Sequence, residues 1–332
     1  MKVALLAETG PNNGPCNVHA SLVSHWPRQD SISAVRPCGK INTVLKCVKY
    51  GTQADVCISP CLNLPHLISH DLIHRSGKPL VHFNHGYVPF ENEINGLGHG
   101  SFWLNIYRNA LRNSDLIVAN SKFQADFIQR HQPELVGKVN NIVLGVDRFE
   151  QLPWSPSDAP LRIAVSGGTR PIKGNDVVVS ACSVLRSRGI DVNVKMFGSC
   201  DEDDELYPEI RNGNVEAFGQ RSLSDFVAYL NSCAAFVMNS RHEPFGLSAL
   251  DAIRSGCPVL ISRNCGVLEV LHTRDSDVIE DCEDPEEVAE KIEYVISHPN
   301  AQRLYNTIDF DYFSWDNQTL ILRNMCAEVC GR

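Results

Sequence analysis

No run of eighteen or more apolar residues occurs in this 332-residue chain, so it holds no segment of the length a membrane-spanning helix needs. Basic residues are in deficit: 30 Lys and Arg stand against 39 Asp and Glu, a formal charge of −9. That sets aside a nucleic-acid partner, whose binding surfaces carry a basic excess. Although there are 13 cysteines, no C-x-x-C pair occurs, and the nearest pairs are Cys57/Cys61 and Cys326/Cys330. An odd count in a chain this long speaks against a disulfide framework; reduced thiols serving as small apolar residues are the first reading and a zinc site the second. The opening MKVALLAETGPNNG passes from one charged residue into a strand-like run and a loop, without a small-residue cleavage site. The expected location is therefore cytoplasmic.

What is present is a doubled pattern. Short apolar or β-branched runs bounded by Gly, Pro or Asn recur in the first half, as KVALLAE, SISAVRP, DVCISP, PLVHFNH, DLIVANS and NNIVLGV. Helix-length segments such as 17–25 and 102–112 separate most of them. Residues 150–160, EQLPWSPSDAP, contain three prolines and no periodicity, and read as a linker. The alternation then restarts with LRIAVSGG, DVNVKMFG, NVEAFG, AAFVMNS, CPVLIS and DVIED. Alternating strands and helices predict parallel sheets covered on both faces. The expected fold class is α/β with two doubly wound domains facing a cleft, residues 1–152 and 161–312, followed by a C-terminal helical segment 313–332. Ligands of such sheets bind at the carboxyl ends of the strands. Charge divides with the domains: residues 1–150 carry 14 Lys and Arg against 11 Asp and Glu, and residues 151–332 carry 16 against 28.

The stretch 239–262, NSRHEPFGLSALDAIRSGCPVLIS, carries the densest chemistry. AAFVMNS reads as a strand, RHEPFG as the loop at its carboxyl end and LSALDAIRSG as a helix. Pro244 and Gly246 make a tight turn that leaves the amides of Gly246, Leu247 and Ser248 open at a helix N-terminus, a site that attracts phosphate. Asp251 falls at i+4 from Leu247, on or beside the inward face. A polar ligand such as the vicinal hydroxyls of a ribose would satisfy it there; a neighbouring Arg254 or Arg221 is the plainer partner. A second loop, SGGTRPIKGND (166–176), places Arg170 and Lys173 among glycines between a strand and a helix. Fixed cations there would stabilise charge building on a departing anion.

The pattern E-P-F-G-L-x-A-L-D-A-x-x-x-G-x-P-V resembles the E-x7-E signature of retaining glycosyltransferases of family 4, with Asp251 where that signature has its second Glu. The resemblance implies a GT-B fold and a reaction in which a sugar leaves a nucleotide-sugar donor for an acceptor hydroxyl, with retention at the anomeric carbon and no bound metal or other cofactor. It implies that Glu243 contacts the donor sugar, that Asp251 holds the ribose and that Arg170 and Lys173 neutralise the diphosphate. It also matches Gly14 in ETGPNNGPC to a Gly-rich loop near the phosphates, His85 in HFNHGY to a histidine touching the sugar, and Glu269 in CGVLEVL to a donor-side G-x-x-E loop. Further matches are NSDLIVANSKF and LGVDRF, in the expected order. A UDP-sugar is the favoured donor and a GDP-sugar the alternative, with a glycan or lipid-linked saccharide as acceptor.

Two segments offer contact with the inner face of an anionic membrane: GKINTVLKCVKY, with Lys40, Lys46 and Lys49, and GSFWLNIYRNALRN, where Phe102, Trp103, Ile106 and Tyr107 accompany Arg108 and Arg112. An ordinary packed helix explains the second equally well. Asp201, Asp203 and Asp204 suggest a D-x-D metal site, but a solvated acidic loop is the stronger reading. Cys257 and Cys265 lack an adjacent activating histidine. Two other functions keep the fold: a non-catalytic nucleotide-sugar-binding partner of another enzyme, and a sugar-nucleotide epimerase.

Overall fold

The computed structural model describes residues 1–9, 14–35, 39–61, 63–157, 159–200 and 207–331. Within them the chain forms two compact units, Met1–Arg148 with Asp309–Arg332, and Phe149–Ile308.

The first unit runs β1 (Lys2–Leu5), α1 (Gly14–Ser24), β2 (Ser31–Ala34), α2 (Lys40–Gln53), β3 (Val56–Ser59), α3 (Leu64–Arg75), β4 (Leu80–Asn84), α4 (Val88–Ile94), α5 (Ser101–Asn113), β5 (Leu116–Ala119), α6 (Lys122–His131) and β6 (Val139–Asn141). The second runs β7 (Leu161–Ser166), α7 (Asn175–Ser187), β8 (Val192–Phe197), α8 (Tyr207–Arg211), β9 (Val215–Gly219), α9 (Leu223–Leu230), β10 (Ala235–Met238), α10 (Leu247–Arg254), β11 (Val259–Ser262), β12 (Val278–Ile279), α11 (Pro285–Ser297) and α12 (Ala301–Tyr305). α13 (Trp315–Val329) returns to the first unit.

Each unit is built on a parallel sheet, and the inner strands show why. β3, β4, β10 and β11 are buried along their whole length, as largely apolar strands are when helices cover both faces. Helix starts follow local capping chemistry. The Asn63 side chain accepts from His66 N at 3.0 Å to open α3, Ser121 does the same from Gln124 N at 3.0 Å for α6, and Asp284 accepts from Glu286 N at 2.9 Å ahead of Pro285 in α11.

Strand order positions the sites. The first sheet is ordered β2-β1-β3-β4-β5-β6 and the second β12-β11-β10-β7-β8-β9. The winding reverses between β1 and β3 in the first and between β7 and β10 in the second, and loops leaving the carboxyl ends on either side of such a reversal splay apart to make a crevice.

Two segments differ from the sequence expectations, and a third is decided between its two readings. Residues 150–160, read as a linker, belong to the second unit: Leu152 N donates to Arg254 O at 2.9 Å, Gln151 Nε2 to Ile253 O at 2.8 Å and Trp154 Nε1 to Cys233 O at 2.9 Å. The second unit ends at Ile308 rather than 312, and Asp309–Phe313 already bond within the first, where Val146 N donates to Phe313 O at 2.7 Å. α13 is held there by Thr319 Oγ1 donating to His25 O at 2.8 Å and by Arg323 Nε on Asp30 at 2.6 Å. α5 is a packed helix. Tyr107 is buried, Trp103 and Ile106 pack on the core with it, and Arg112 pairs with Glu134, which leaves Phe102 as its outward aromatic.

α2 and the adjoining α3 leave apolar side chains outward: Ile41 is 77% exposed and Leu45 64%, beside Leu64, Ile68 and Leu72. α2 carries Lys40, Lys46 and Lys49 and no acidic residue. No helix among the described residues is long and apolar enough to cross a membrane.

Candidate functional site

In the second unit the loops leaving β7 and β10 come together. β7 ends at Ser166, and the chain turns through Gly167 and Gly168 into a 3-10 turn, Pro171–Lys173, before α7. Asn175 holds this loop from inside, its Nδ2 donating to Ser166 O at 3.2 Å and Gly168 O at 2.7 Å. Gly174 sits at φ 61°, and a Cβ there would lie 2.2 Å from the Asn239 carbonyl oxygen. Only glycine lets the two loop backbones approach so closely.

That approach brings Lys173 and Glu243 together, 70 residues apart in sequence. The Lys173 ammonium donates to Glu243 Oε2, and both side chains are only 16% exposed. Burial alone would raise the Glu243 carboxyl; the Lys173 cation outweighs it, with Arg170 and His242 adding to the effect, and the carboxyl is held below 4.5. Arg170 is exposed, its Nε donating to Gly167 O at 3.2 Å. The Glu243 backbone is pinned as well: its N donates to Asn264 O at 2.9 Å, and Gly266 N donates to its carbonyl at 3.0 Å.

Two residues on, Phe245 is buried and Gly246 turns the chain into α10 at φ 107°. A Cβ at Gly246 would meet Met238 Sδ at 2.7 Å. No side chain caps α10, so the amides of Leu247 and Ser248 open its first turn as an anion site, at the positive end of the helix dipole. Asp251 lies one turn on, partly buried, and its carboxylate has no hydrogen bond or ion pair among the described residues. Its nearest cation, Arg254, stacks over Phe149 instead, 6.0 Å from the ring centroid. Burial pushes the Asp251 carboxyl up from 3.8 to about 7, against a small opposing pull from Arg254. An under-satisfied carboxylate beside an open helix end is suited to hydroxyl donors attached to an anion. Glu269, itself exposed, ends the 3-10 turn Gly266–Glu269 after β11, in which Gly266 and Val267 are buried.

In the first unit His85 follows β4. Its Nε2 lies 2.8 Å from Nε2 of His19 on α1. Burial, with His19 and His82 nearby, holds His85 well below 6.5. Gly14 heads α1, exposed, and a Cβ on it would meet nothing within 4 Å; no contact among the described residues requires glycine there. The rest of the loop, Gly10 to Asn13, and the acidic Asp201, Asp203 and Asp204 lie outside the described residues. Among the described residues no cluster of His, Cys, Asp and Glu is arranged to hold a metal ion. Burial pushes the Cys257 and Cys265 thiols well above 9, which makes both poor nucleophiles.

The region containing Lys173, Glu243 and Asp251 matches the family described as Glycosyl transferases group 1 over residues 150–307. This match to a group 1 glycosyltransferase domain spans 158 of the 332 residues. An uncharacterized glycosyltransferase of Methanocaldococcus jannaschii is 24% identical, over 67% of this chain and 62% of its own length. The mannosylfructose-phosphate synthase of Agrobacterium fabrum is 24% identical, over 83% of this chain and 65% of its own. The chain thus spans less than two thirds of these curated relatives. The structure of Anabaena HepE in complex with UDP and glucose superposes with a TM-score of 0.69, covering 100% of this chain and 99% of that one at 18% identity. The two parallel six-stranded units have the GT-B fold.

Within this matched region the motif reading passed over Arg241, whose guanidinium ties three segments together. It grips Asp176 at 2.9 and 2.7 Å and Glu283 at 2.6 and 2.8 Å, and donates to Pro171 O, while its backbone N donates to Ile172 O at 2.9 Å. The two carboxylates raise its pKa above the ordinary arginine range. Arg241 thereby fixes the Lys173 turn against the Glu243 loop. The available signal was its place two residues before Glu243; its partners, 65 and 42 residues away, carried none.

Proposed function

We propose that the chain is a retaining, metal-independent glycosyltransferase that moves a sugar from a nucleotide-sugar donor to a hydroxyl of a glycan or lipid-linked saccharide. The observation that carries this reading is the partnerless Asp251 carboxylate one turn inside the open end of α10, eight residues after a Glu243 paired with Lys173. In this reading Asp251 receives the ribose hydroxyls, and the amides of Gly246 and Leu247 with Arg170 and Lys173 hold the diphosphate. Glu243 orients the donor sugar, Glu269 is assigned to the donor side, and in the first unit His85 meets a sugar or acceptor hydroxyl. The ammonium of Lys173 has three donors, so it can keep Glu243 and still bind a phosphate oxygen. As the glycosidic bond breaks, charge gathers on the leaving diphosphate, where pre-placed cations and amides act most strongly. That diphosphate then takes the proton of the incoming hydroxyl, and no carboxylate nucleophile is required.

UDP-sugars are the favoured donors and GDP-sugars the alternative; the HepE structure, with UDP and glucose bound, supports the first. Thermal unfolding with UDP, GDP, ADP and their sugars tests this. A ligand bound only by the native state at a hundred times its Kd adds about 2.7 kcal/mol, and the shift should be selective for one nucleotide and reduced in Asp251→Ala. No shift with any of them would sink the transferase reading.

The acceptor side is read from α2 and α3. Exposed Ile41 and Leu45 beside Lys40, Lys46 and Lys49 suit the inner surface of an anionic bilayer, and would place the protein on the cytoplasmic face, near lipid-linked acceptors. Three lysines at about 1 kcal/mol each predict roughly a hundredfold preference for anionic over neutral vesicles, abolished by Ile41→Asp with Leu45→Asp. Sedimentation with phosphatidylglycerol and phosphatidylcholine vesicles reads it, and equal binding to both would refute the membrane contact.

A further inference from the structure

The winding reversal of the first sheet lies between β1 and β3, and histidines gather on the elements around it. His19 is on α1, which follows β1; His66 is on α3, which follows β3; His85 follows β4. His19 is fully buried, and both of its ring nitrogens are engaged: Nδ1 lies 2.9 Å from the Glu8 carbonyl oxygen and Nε2 lies 2.8 Å from Nε2 of His85. The two rings meet edge to face, 4.8 Å between centroids at 77°.

Proton accounting along this chain has one solution. A carbonyl oxygen only accepts, so His19 Nδ1 carries a hydrogen. Burial lowers His19 to about 4, so near neutral pH that is its one ring proton and its Nε2 is a bare lone pair. The contact between the two Nε2 atoms needs a proton, and only His85 can supply it. His85 is itself neutral there, so its own Nδ1 is left unprotonated. That atom has no hydrogen-bond partner among the described residues, and it is not among the fully buried unsatisfied atoms, unlike both ring nitrogens of His66. It is open to a ligand.

We propose that His19 is a positioning residue that locks His85 as its Nε2–H tautomer, so that His85 meets its ligand through Nδ1 as a hydrogen-bond acceptor. A ligand group that complements it must be a donor, a sugar or acceptor hydroxyl rather than a phosphate oxygen, which has only lone pairs to offer. The assignment deepens the transferase reading and rests on it for the identity of the ligand. It makes His85 a reader of hydroxyls rather than of phosphate oxygens.

The test is histidine-selective nitrogen NMR on the full chain at neutral pH, with the His85 signals assigned from His85→Gln. Expected are a protonated Nε2 and a bare Nδ1 on His85, and a scalar coupling across the N–H···N bond to His19 Nε2. His19→Leu should abolish the coupling and lower kcat/KM about tenfold, the usual scale for losing one buried hydrogen bond. His19→Gln, whose amide can donate to Glu8 and whose carbonyl can accept from His85, should recover most of the lost activity and the protonated Nε2. If His85 carries its proton on Nδ1, if no coupling appears, or if His19→Gln behaves as His19→Leu does, the proposal is overturned. These spectra need no turnover: coupling in a wild-type protein that transfers no sugar would overturn the transferase reading and leave the tautomer assignment supported.

Discussion

Lys173→Met is expected to lower kcat on the order of a thousandfold, the scale seen when a fixed donor is removed from developing negative charge. It should also reduce the unfolding free energy by about 3 kcal/mol. The second effect follows from the geometry of the pair, a carboxylate and an ammonium both largely withdrawn from water. Without Lys173, burial would raise the Glu243 carboxyl instead of letting it stay depressed. The sign with pH is definite. A carboxyl whose folded pKa is lowered contributes stability that is present above its unfolded value, 4.5 here, and is lost as the pH falls through the folded value. The deficit of Lys173→Met should therefore be full at neutral pH and vanish in acid. Adding Glu243→Gln to Lys173→Met removes the stranded charge, so urea unfolding of the double variant should recover most of the stability while turnover stays low. Recovery of turnover along with stability would show that the pair is structural, and the transfer role of Lys173 would fall.

Nucleotide affinity is expected to rise about tenfold per pH unit as the pH climbs toward 7 and then level off, because ribose hydroxyls bind best to the ionised form of Asp251. The carboxyl is protonated up to about 7 in the ligand-free protein, since burial outweighs the pull of Arg254. Binding should then release a proton below that pH. Titration calorimetry in buffers of differing ionisation heat measures both effects, and Asp251→Asn should bind weakly with no such slope. Stability runs the other way. A carboxyl whose folded pKa is raised binds protons more tightly when native, so between 3.8 and about 7 the unfolding free energy declines with rising pH. Allowing for its partial exposure, Asp251→Asn should be more stable than wild type by about 1 kcal/mol in mild alkali. Affinity independent of pH would mean that Asp251 does not meet the ligand.

The sheet runs were legible because strands between two layers of helices must be largely apolar, as in the VAL of β1, the VCI of β3, the AFVM of β10 and the VLI of β11. NNIVLGV was legible only in part: β6 is Val139–Asn141, and the apolar Ile142–Leu144 follow it, buried outside the strand. Glycines at 174 and 246 could be read as turn-makers, but not what they make room for, the Asn239 carbonyl and the Met238 sulfur. α5 reads from the sequence equally as a membrane-surface helix or a packed one, because its aromatic and basic residues suit either and periodicity does not say which covering layer is present.

By itself the sequence determined two α/β units, their strand content, the loop carrying Glu243 and the helix carrying Asp251, since these follow from local period, capping and turn chemistry. Tertiary structure alone decided that Lys173 meets Glu243, that Arg241 clamps Asp176 and Glu283, that His19 meets His85 and that residues 150–160 bind to the second unit. The physical reason is strand order: β7 lies beside β10 and β1 beside β3. Which ends become neighbours is set by how helices pack across a whole sheet, a long-range choice that no local stretch of residues records.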